Sequence, residues 1–157
     1  MDANRTGLYR LLAVDDDTDC CELIVRNALK CGYEAFSVSE AEALEKAILH
    51  FKPHVITLDL TMPNVDGLEI VWRVRRVHFS GLVILVSGQS EAYRMRATAL
   101  ATSNGLKVPA QMPKPLQLRQ FRDLLSVISA GLLPEMSDTR ASRAEAPNPG
   151  RSGDIDW

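Results

Sequence analysis

Residues 55–59 read Val-Ile-Thr-Leu-Asp, a run of apolar and β-branched residues that ends in a carboxylate. Two similar runs, at residues 11–14 and 82–86, are apolar on every residue rather than on alternate ones. Strands of this kind are buried on both faces, which is typical of a parallel sheet covered by helices. Weaker strands are predicted at residues 35–38 and 107–112. The sequence therefore predicts five strands.

Segments with a helical period separate these strands. Apolar side chains recur at intervals of three and four in three of them, at residues 21–28, 70–77 and 118–128. Ser39-Glu40-Ala41-Glu42 has the form of a capping box, which predicts a helix from there to about His50. Residues 90–103 are rich in alanine, and Asn104-Gly105 is a typical C-terminal stop.

Strand and helix thus alternate five times, which predicts an α/β fold with a parallel sheet and right-handed crossovers. Pro109 lies inside the fifth predicted strand. Because proline has no N–H to donate to a neighbouring strand, we expect the fifth strand to lie at an edge of the sheet.

The length of 157 residues suits one domain with a tail. We expect a short extension at residues 1–7, a folded domain at 8–133 and a disordered tail at 134–157, where Pro, Ser, Arg, Asp and Gly dominate. No apolar run approaches the roughly 20 residues of a membrane span, and the N-terminus does not resemble a signal peptide. Three crowded cysteines argue against a disulfide framework, so a cytoplasmic protein is expected.

Charge is distributed unevenly along the chain. Residues 1–69 hold 6 Lys/Arg and 13 Asp/Glu, whereas residues 70–133 hold 9 Lys/Arg and 2 Asp/Glu. This asymmetry indicates an acidic site and a basic face, the alternative being a mixed surface after folding. Arginines 73, 75, 76, 94 and 96 are candidates for a basic patch. Without a helix-turn-helix pattern, a solvated face is favoured over nucleic-acid binding.

Reactive side chains follow four of the predicted strands. Asp15-Asp16-Asp17 follows the first, Asp59 the third, Ser87 the fourth and Lys114 the fifth. In an open parallel sheet, ligands bind beyond the carboxyl ends of the strands, so we expect these side chains to meet. Clustered carboxylates suit Mg²⁺, and a lysine and a hydroxyl suit a phosphoryl group. Each aspartate alone has a structural alternative, since Asp also caps helices and forms turns.

Four motifs carry a family resemblance, at residues 11–17, 54–69, 83–88 and 113–116. The most specific is the block that contains Asp59, Met62-Pro63 and Asp66-Gly67. In combination the motifs resemble the response regulator receiver domain of two-component signalling over about residues 8–133. The resemblance implies a doubly wound (βα)5 fold with the flavodoxin-like strand order 2-1-3-4-5.

The resemblance also implies roles for the acidic residues. Asp59 would be the phosphoacceptor, supplied by a phosphohistidine of a sensor histidine kinase or of a histidine phosphotransfer protein. Asp15 and Asp16 would hold Mg²⁺ together with Asp59, Asp16 as a direct ligand and Asp15 largely through water. The backbone carbonyl of Thr61 would complete the protein ligands.

Further roles follow from the same resemblance. Ser87 would bond a phosphoryl oxygen and draw the fourth βα loop inward, and Lys114 would pair with the phosphoryl group. The peptide between Lys114 and Pro115 would be cis. Thr61 and Gln89 would tune how fast water attacks the acyl phosphate.

One position departs from the family pattern. Three residues before the lysine, where the family usually has Tyr or Phe, this sequence has Gln111. The phosphorylation chemistry is expected to survive this change, whereas the aromatic part of the switch is expected to differ. Residues 94–113 also resemble receivers found ahead of cyclic-di-GMP phosphodiesterase domains.

The leading hypothesis is a stand-alone receiver without enzymatic activity on a separate substrate and without a DNA-binding output. Phosphorylation would change the affinity for an unknown downstream protein at the face of the fourth helix, fifth strand and fifth helix. One rival is an aspartate-nucleophile phosphatase, although those enzymes place the nucleophile after the first strand. The other is an interaction module that works without phosphorylation.

Overall fold

The computed structural model describes residues 8–131, which form a five-stranded sheet. All strands are parallel, in the order β2-β1-β3-β4-β5. Their bounds are β1 (Arg10–Val14), β2 (Glu34–Val38), β3 (Val55–Leu58), β4 (Leu82–Ser87) and β5 (Lys107–Pro113). The predicted α/β class and the flavodoxin-like strand order are therefore confirmed. The predicted extension at 1–7 and the tail at 134–157 lie outside the described residues.

Within residues 8–131, five α-helices alternate with the strands. They are α1 (Thr18–Lys30), α2 (Leu44–Phe51), α3 (Gly67–Arg76), α4 (Glu91–Ser103) and α5 (Leu118–Ser129). Among the described residues, no helix combines the length and the hydropathy that crossing a bilayer requires.

Each face of the sheet packs against its own set of helices, because successive side chains of a strand point to opposite faces. Leu12 and Leu58 face α2, α3 and α4, whereas Leu11 and Val55 face α1 and α5. This double covering explains why the central strands are apolar on every residue. The order of the strands places the crevice for a ligand between β1 and β3, where that order reverses.

Strand β5 lies at an edge of the sheet, as Pro109 predicted. The pairing with β4 is irregular at this proline: Leu82 pairs with Lys107 and Ile84 pairs with Ala110. Two residues of β5 therefore lie opposite one residue of β4, which is the arrangement of a β-bulge. The bulge accommodates a residue that has no N–H to donate.

The predicted start of the second helix was wrong. Residues Ala41–Ala43 form a 3-10 turn, and α2 begins only at Leu44. Glu40 is the N-cap of that turn and makes no side-chain capping hydrogen bond. The capping box predicted a regular α-helical start at this point. The 3-10 turn found there instead buries Ala41. The predicted stop at Asn104 is confirmed, with Gly105 at φ +92°.

His54 links β3 to β1 and predicts a pH dependence of stability. Its Nδ1 accepts a hydrogen bond from the backbone N–H of Arg10 at 3.0 Å, which requires the unprotonated ring nitrogen. Burial, and then the charge of Arg10, lower the pKa of His54 below its usual 6.5. The unfolded chain therefore takes up this proton more readily, and the contribution of His54 to stability is lost as pH falls below about 6.5.

The matched variant is His54→Asn, whose amide oxygen also accepts a hydrogen bond but does not titrate. Urea unfolding at several pH values between about 7.5 and 5 measures the free energy of unfolding of both proteins. We expect the advantage of the wild type over the variant to shrink as pH decreases. An advantage that stays constant over this range would contradict the assignment.

Candidate functional site

The site lies at the carboxyl ends of β1 and β3, which are neighbours in the sheet. The backbone N–H of Asp59 donates to the carbonyl of Val14 at 3.1 Å, and the N–H of Asp15 donates to Val38 at 3.2 Å. These bonds continue the sheet pairing one residue past the strands. They fix the two aspartates beside each other at the reversal of strand order.

Three carboxylates meet at this edge. Asp15, Asp16 and Asp59 each offer an oxygen within 4.8 Å of the others. Asp15 is 1% exposed and Asp59 is 3% exposed, whereas Asp16 is exposed. Such closely spaced carboxylates repel one another, and the repulsion is strongest where burial removes water. Desolvation by burial raises the pKa of Asp15 above its usual value, and the hydrogen bond from Lys114 opposes this shift.

Lys114 supplies a positive charge to the cluster. Its Nζ lies 2.8 Å from Asp15 Oδ2 and 3.1 Å from Asp59 Oδ2. Burial alone would lower the pKa of this lysine, but the hydrogen bond to Asp15 and the charge of Asp59 raise it above its usual value. The backbone N–H of Lys114 donates to the carbonyl of Ser87, and the Lys114–Pro115 peptide is cis, as the resemblance implied.

The donor set fits a magnesium ion. One ammonium group balances only one of three carboxylates, so the pocket keeps an excess of negative charge. All three offer hard oxygen ligands, two of them on adjacent residues and the third on the neighbouring strand. Mg²⁺ prefers such oxygens, and it accepts few protein ligands because it retains several waters.

Both oxygens of Asp59 are held by hydrogen bonds. Oδ1 accepts from the backbone N–H of Thr61 at 2.8 Å and from its hydroxyl at 2.6 Å. Oδ2 accepts from Lys114. The carboxylate is therefore fixed in orientation.

Ser87 ends β4 and is buried at 4% exposure. Its Oγ accepts a hydrogen bond from the backbone N–H of Gln89 at 3.0 Å, and its carbonyl accepts from Lys114. Through its backbone, Ser87 is thus tied to the residue that contacts Asp15 and Asp59. The structure thus brings Asp15, Asp16, Asp59 and Lys114 together, and Ser87 joins Lys114 through its backbone carbonyl.

Comparison with known proteins gives the family. The model of the response regulator receiver domain matches residues 11–125, which is most of the chain. The chain belongs to the response regulator receiver family. Receiver domains are signalling modules that interact with histidine kinases or phosphotransfer proteins and typically bind Mg²⁺ at an acidic site.

Solved structures agree with this assignment. A response regulator from Colwellia psychrerythraea is 29% identical, with a TM-score of 0.70 over 79% of this chain and 98% of that chain. A CheY-like receiver domain protein from Methanospirillum hungatei JF-1 is 23% identical, with a TM-score of 0.64 over 87% of this chain and 98% of that one. Vibrio cholerae CheY4 is 17% identical, with a TM-score of 0.64 over 75% and 96%. The last two support the fold alone.

The receiver contains a contact that sequence analysis missed. Gln111, at the position where the family usually has an aromatic ring, accepts a hydrogen bond at its Oε1 from Arg94 Nε at 3.1 Å. Arg94 Nη1 also donates to the backbone carbonyl of Gln89 at 2.7 Å. A glutamine on a predicted strand hints at a polar contact, but the sequence does not identify Arg94 as its partner.

Two arginines of the candidate basic patch pair with acidic residues. Arg73 pairs with Glu45 and Glu69, both at 2.9 Å, and Arg76 lies 3.4 Å from Glu45. The pairs with Glu45 join α3 to α2, and the pair with Glu69 lies within α3. The pattern supports the solvated interpretation of these arginines over a nucleic-acid interface.

The cysteines nearest the site are structural. Cys20 and Cys21 are buried in the core between α1 and the sheet, and Cys21 Sγ donates to the carbonyl of Asp15. Burial raises the pKa of Cys20 to about 12 and that of Cys21 to about 11. The raised pKa values favour the protonated thiols, which suits their packing in the core.

Proposed function

We propose that this receiver accepts a phosphoryl group on Asp59 from a phosphohistidine of a sensor histidine kinase or of a histidine phosphotransfer protein. In this transfer an oxygen of Asp59 forms a bond to phosphorus while the phosphorus–nitrogen bond of the donor breaks, and the imidazole leaves with the bonding electron pair. The observation that carries the proposal is Lys114, whose ammonium lies within 3.1 Å of the Asp59 carboxylate and 2.8 Å of Asp15.

The charge of the pocket supports this chemistry. Phosphoryl transfer depends mainly on positioning and on neutralising the charge of the transferred group. Lys114 already lies where a phosphoryl group on Asp59 would add negative charge. Asp15, Asp16, Asp59 and the Thr61 carbonyl would hold Mg²⁺, which when bound would neutralise further charge on the phosphoryl oxygens.

The remaining site residues act on the acyl phosphate formed at Asp59. We assign Ser87 the role of donating its hydroxyl proton to a phosphoryl oxygen. Thr61 and Gln89 flank the acceptor and the serine, and we infer that they control the access of water to the acyl phosphate. Attack of water on phosphorus returns Asp59 to its free carboxylate, so the cycle needs no separate substrate and the protein is no enzyme toward other molecules.

The output follows from the same site. The phosphoryl group on Asp59 shifts the loop between β4 and α4, and with it the face of α4, β5 and α5, where a downstream protein binds. Arg73 and Arg76 of α3 already pair with acidic residues, which makes them less available to nucleic-acid phosphates. The three cysteines are free, which fits a reducing compartment such as the cytoplasm.

Acetyl phosphate provides the direct test. Incubated with acetyl phosphate and Mg²⁺, the wild-type protein should gain one phosphate by intact mass. Hydroxylamine should remove this phosphate, since it cleaves acyl phosphates. Chelating the metal should reduce the labelled fraction strongly, because the pocket then keeps its excess negative charge against an anionic donor.

Each alternative function has its own outcome. If neither acetyl phosphate nor a phosphohistidine donor labels the protein in the presence of Mg²⁺, an interaction module that works without phosphorylation is favoured. Turnover of a generic phosphomonoester such as p-nitrophenyl phosphate would favour the phosphatase. A hydroxylamine-resistant label would exclude the acyl phosphate.

A further inference from the structure

A continuous path of hydrogen bonds runs from the site to the edge of the sheet. Gln89 N–H donates to Ser87 Oγ at 3.0 Å, and the carbonyl of Gln89 accepts from Arg94 Nη1 at 2.7 Å. The same guanidinium donates through Nε to Gln111 Oε1 at 3.1 Å. Four residues thus connect the buried hydroxyl beside the acceptor with strand β5.

The geometry of the Arg94 guanidinium couples the loop between β4 and α4 to strand β5. A guanidinium is planar and holds its donors in a fixed fork, so its two acceptors must keep one relative position. One acceptor belongs to the loop between β4 and α4, and the other to β5. Arg94 itself lies in the first turn of α4, whose N-cap is Ser90. A displacement of Gln89 would therefore break the simultaneous bonding of Arg94 to the loop and to β5.

We propose that the Gln89 carbonyl, the Arg94 guanidinium and the Gln111 amide form a latch that couples the loop between β4 and α4 to strand β5. The proposal rests on the proposed phosphorylation of Asp59. The latch is closed in the conformation described here, with Ser87 Oγ bound by Gln89 N–H. When the Ser87 hydroxyl turns toward a phosphoryl group, Gln89 follows its hydrogen-bond acceptor and the latch opens.

Thermodynamic linkage gives the latch a measurable effect. If the closed latch stabilises the unphosphorylated conformation, weakening it must strengthen the binding of any group that requires the open conformation. Strengthening it must have the opposite effect. A hydrogen bond with a merely structural role would change the stability of the fold without changing this affinity in opposite directions.

Beryllofluoride with Mg²⁺ is the probe, because it adds a tetrahedral anion to a carboxylate oxygen and resembles a phosphoryl group. Its half-saturating concentration is measured at fixed excess Mg²⁺ from the backbone amide signal of Gly88. For Arg94→Met and Gln111→Leu we expect this concentration to fall about fivefold to tenfold. For Gln111→Glu, whose carboxylate forms an ion pair with Arg94, we expect a rise of about the same size.

Two controls separate the latch from simpler effects. Arg96→Met removes the same charge from an exposed position of α4 and should leave the half-saturating concentration unchanged. Gln111→Glu in the Arg94→Met background should no longer raise it. A rise that persists without Arg94 would mean that the new carboxylate repels the anion directly, and the latch would be wrong.

The wild type distinguishes the two proposals. If it binds beryllofluoride and the latch variants bind it with unchanged affinity, the latch is overturned and the phosphoacceptor role of Asp59 stands. If the wild type does not bind beryllofluoride with Mg²⁺, the proposed function is overturned, and the latch with it. Opposite shifts for Gln111→Leu and Gln111→Glu cannot both come from partial unfolding, so they would support the latch.

Discussion

Asp59→Asn is expected to abolish labelling by acetyl phosphate completely while leaving the protein folded. The amide of asparagine has no free carboxylate oxygen to attack phosphorus, so the acyl phosphate cannot form. Its carbonyl oxygen can still accept the two hydrogen bonds from Thr61 that hold Asp59 Oδ1. The NH₂ group of the asparagine would face the Lys114 ammonium, which is unfavourable. The substitution also removes one of three carboxylates that repel one another, which is favourable and offsets this cost.

The matched control for this substitution is Asp123→Asn. Asp123 is exposed on α5, so the control makes the same chemical change away from the site. Intact mass should find one phosphate on the control, as on the wild type, and none on Asp59→Asn. Equal labelling of Asp59→Asn would move the acceptor to another residue, and thermal unfolding of the variant verifies that a loss of label is not a loss of fold.

The three central strands, β1, β3 and β4, were predictable because burial on both faces makes them apolar along most of their length. The run that opens at Val55 forms β3 up to Leu58, the residue before its carboxylate, and each position of this strand is buried. The start of α2 was harder to predict from the sequence. A capping box describes only local hydrogen bonding, whereas the burial of Ala41 depends on the sheet beneath it.

The acidic cluster could be placed from topology alone. Once parallel strands are predicted, residues that follow Val14 and Leu58 must lie at one edge, and the structure brings Asp15, Asp16 and Asp59 within 4.8 Å. The roles of these residues remain predictions. The Arg94 contacts were beyond sequence reasoning for a physical reason: a long side chain on α4 can extend to several acceptors, and spacing along the chain does not select one.

Lys114→Met is expected to lower the free energy of unfolding by about 3 kcal/mol in the absence of divalent ions. Removing one partner of a buried ion pair leaves the other without compensation, and here two buried carboxylates lose the same ammonium group. Methionine preserves much of the volume of the lysine stem, so the loss is chiefly electrostatic. Mg²⁺ should restore part of the stability, because it supplies positive charge to the same oxygens.

Urea unfolding with and without Mg²⁺ measures this effect, and Lys46→Met, at an exposed position of α2, is the control for loss of a lysine charge. The decisive comparison is Lys114→Met in the Asp59→Asn background. With one carboxylate already neutral, the substitution should cost less than in the wild type, because fewer charges depend on the lysine. An equal cost in both backgrounds would mean that packing of the lysine stem, rather than its charge, stabilises the pocket. A Mg²⁺ effect no larger in Lys114→Met than in the wild type would equally contradict the electrostatic account, since the ion and the ammonium would then not act on the same carboxylates.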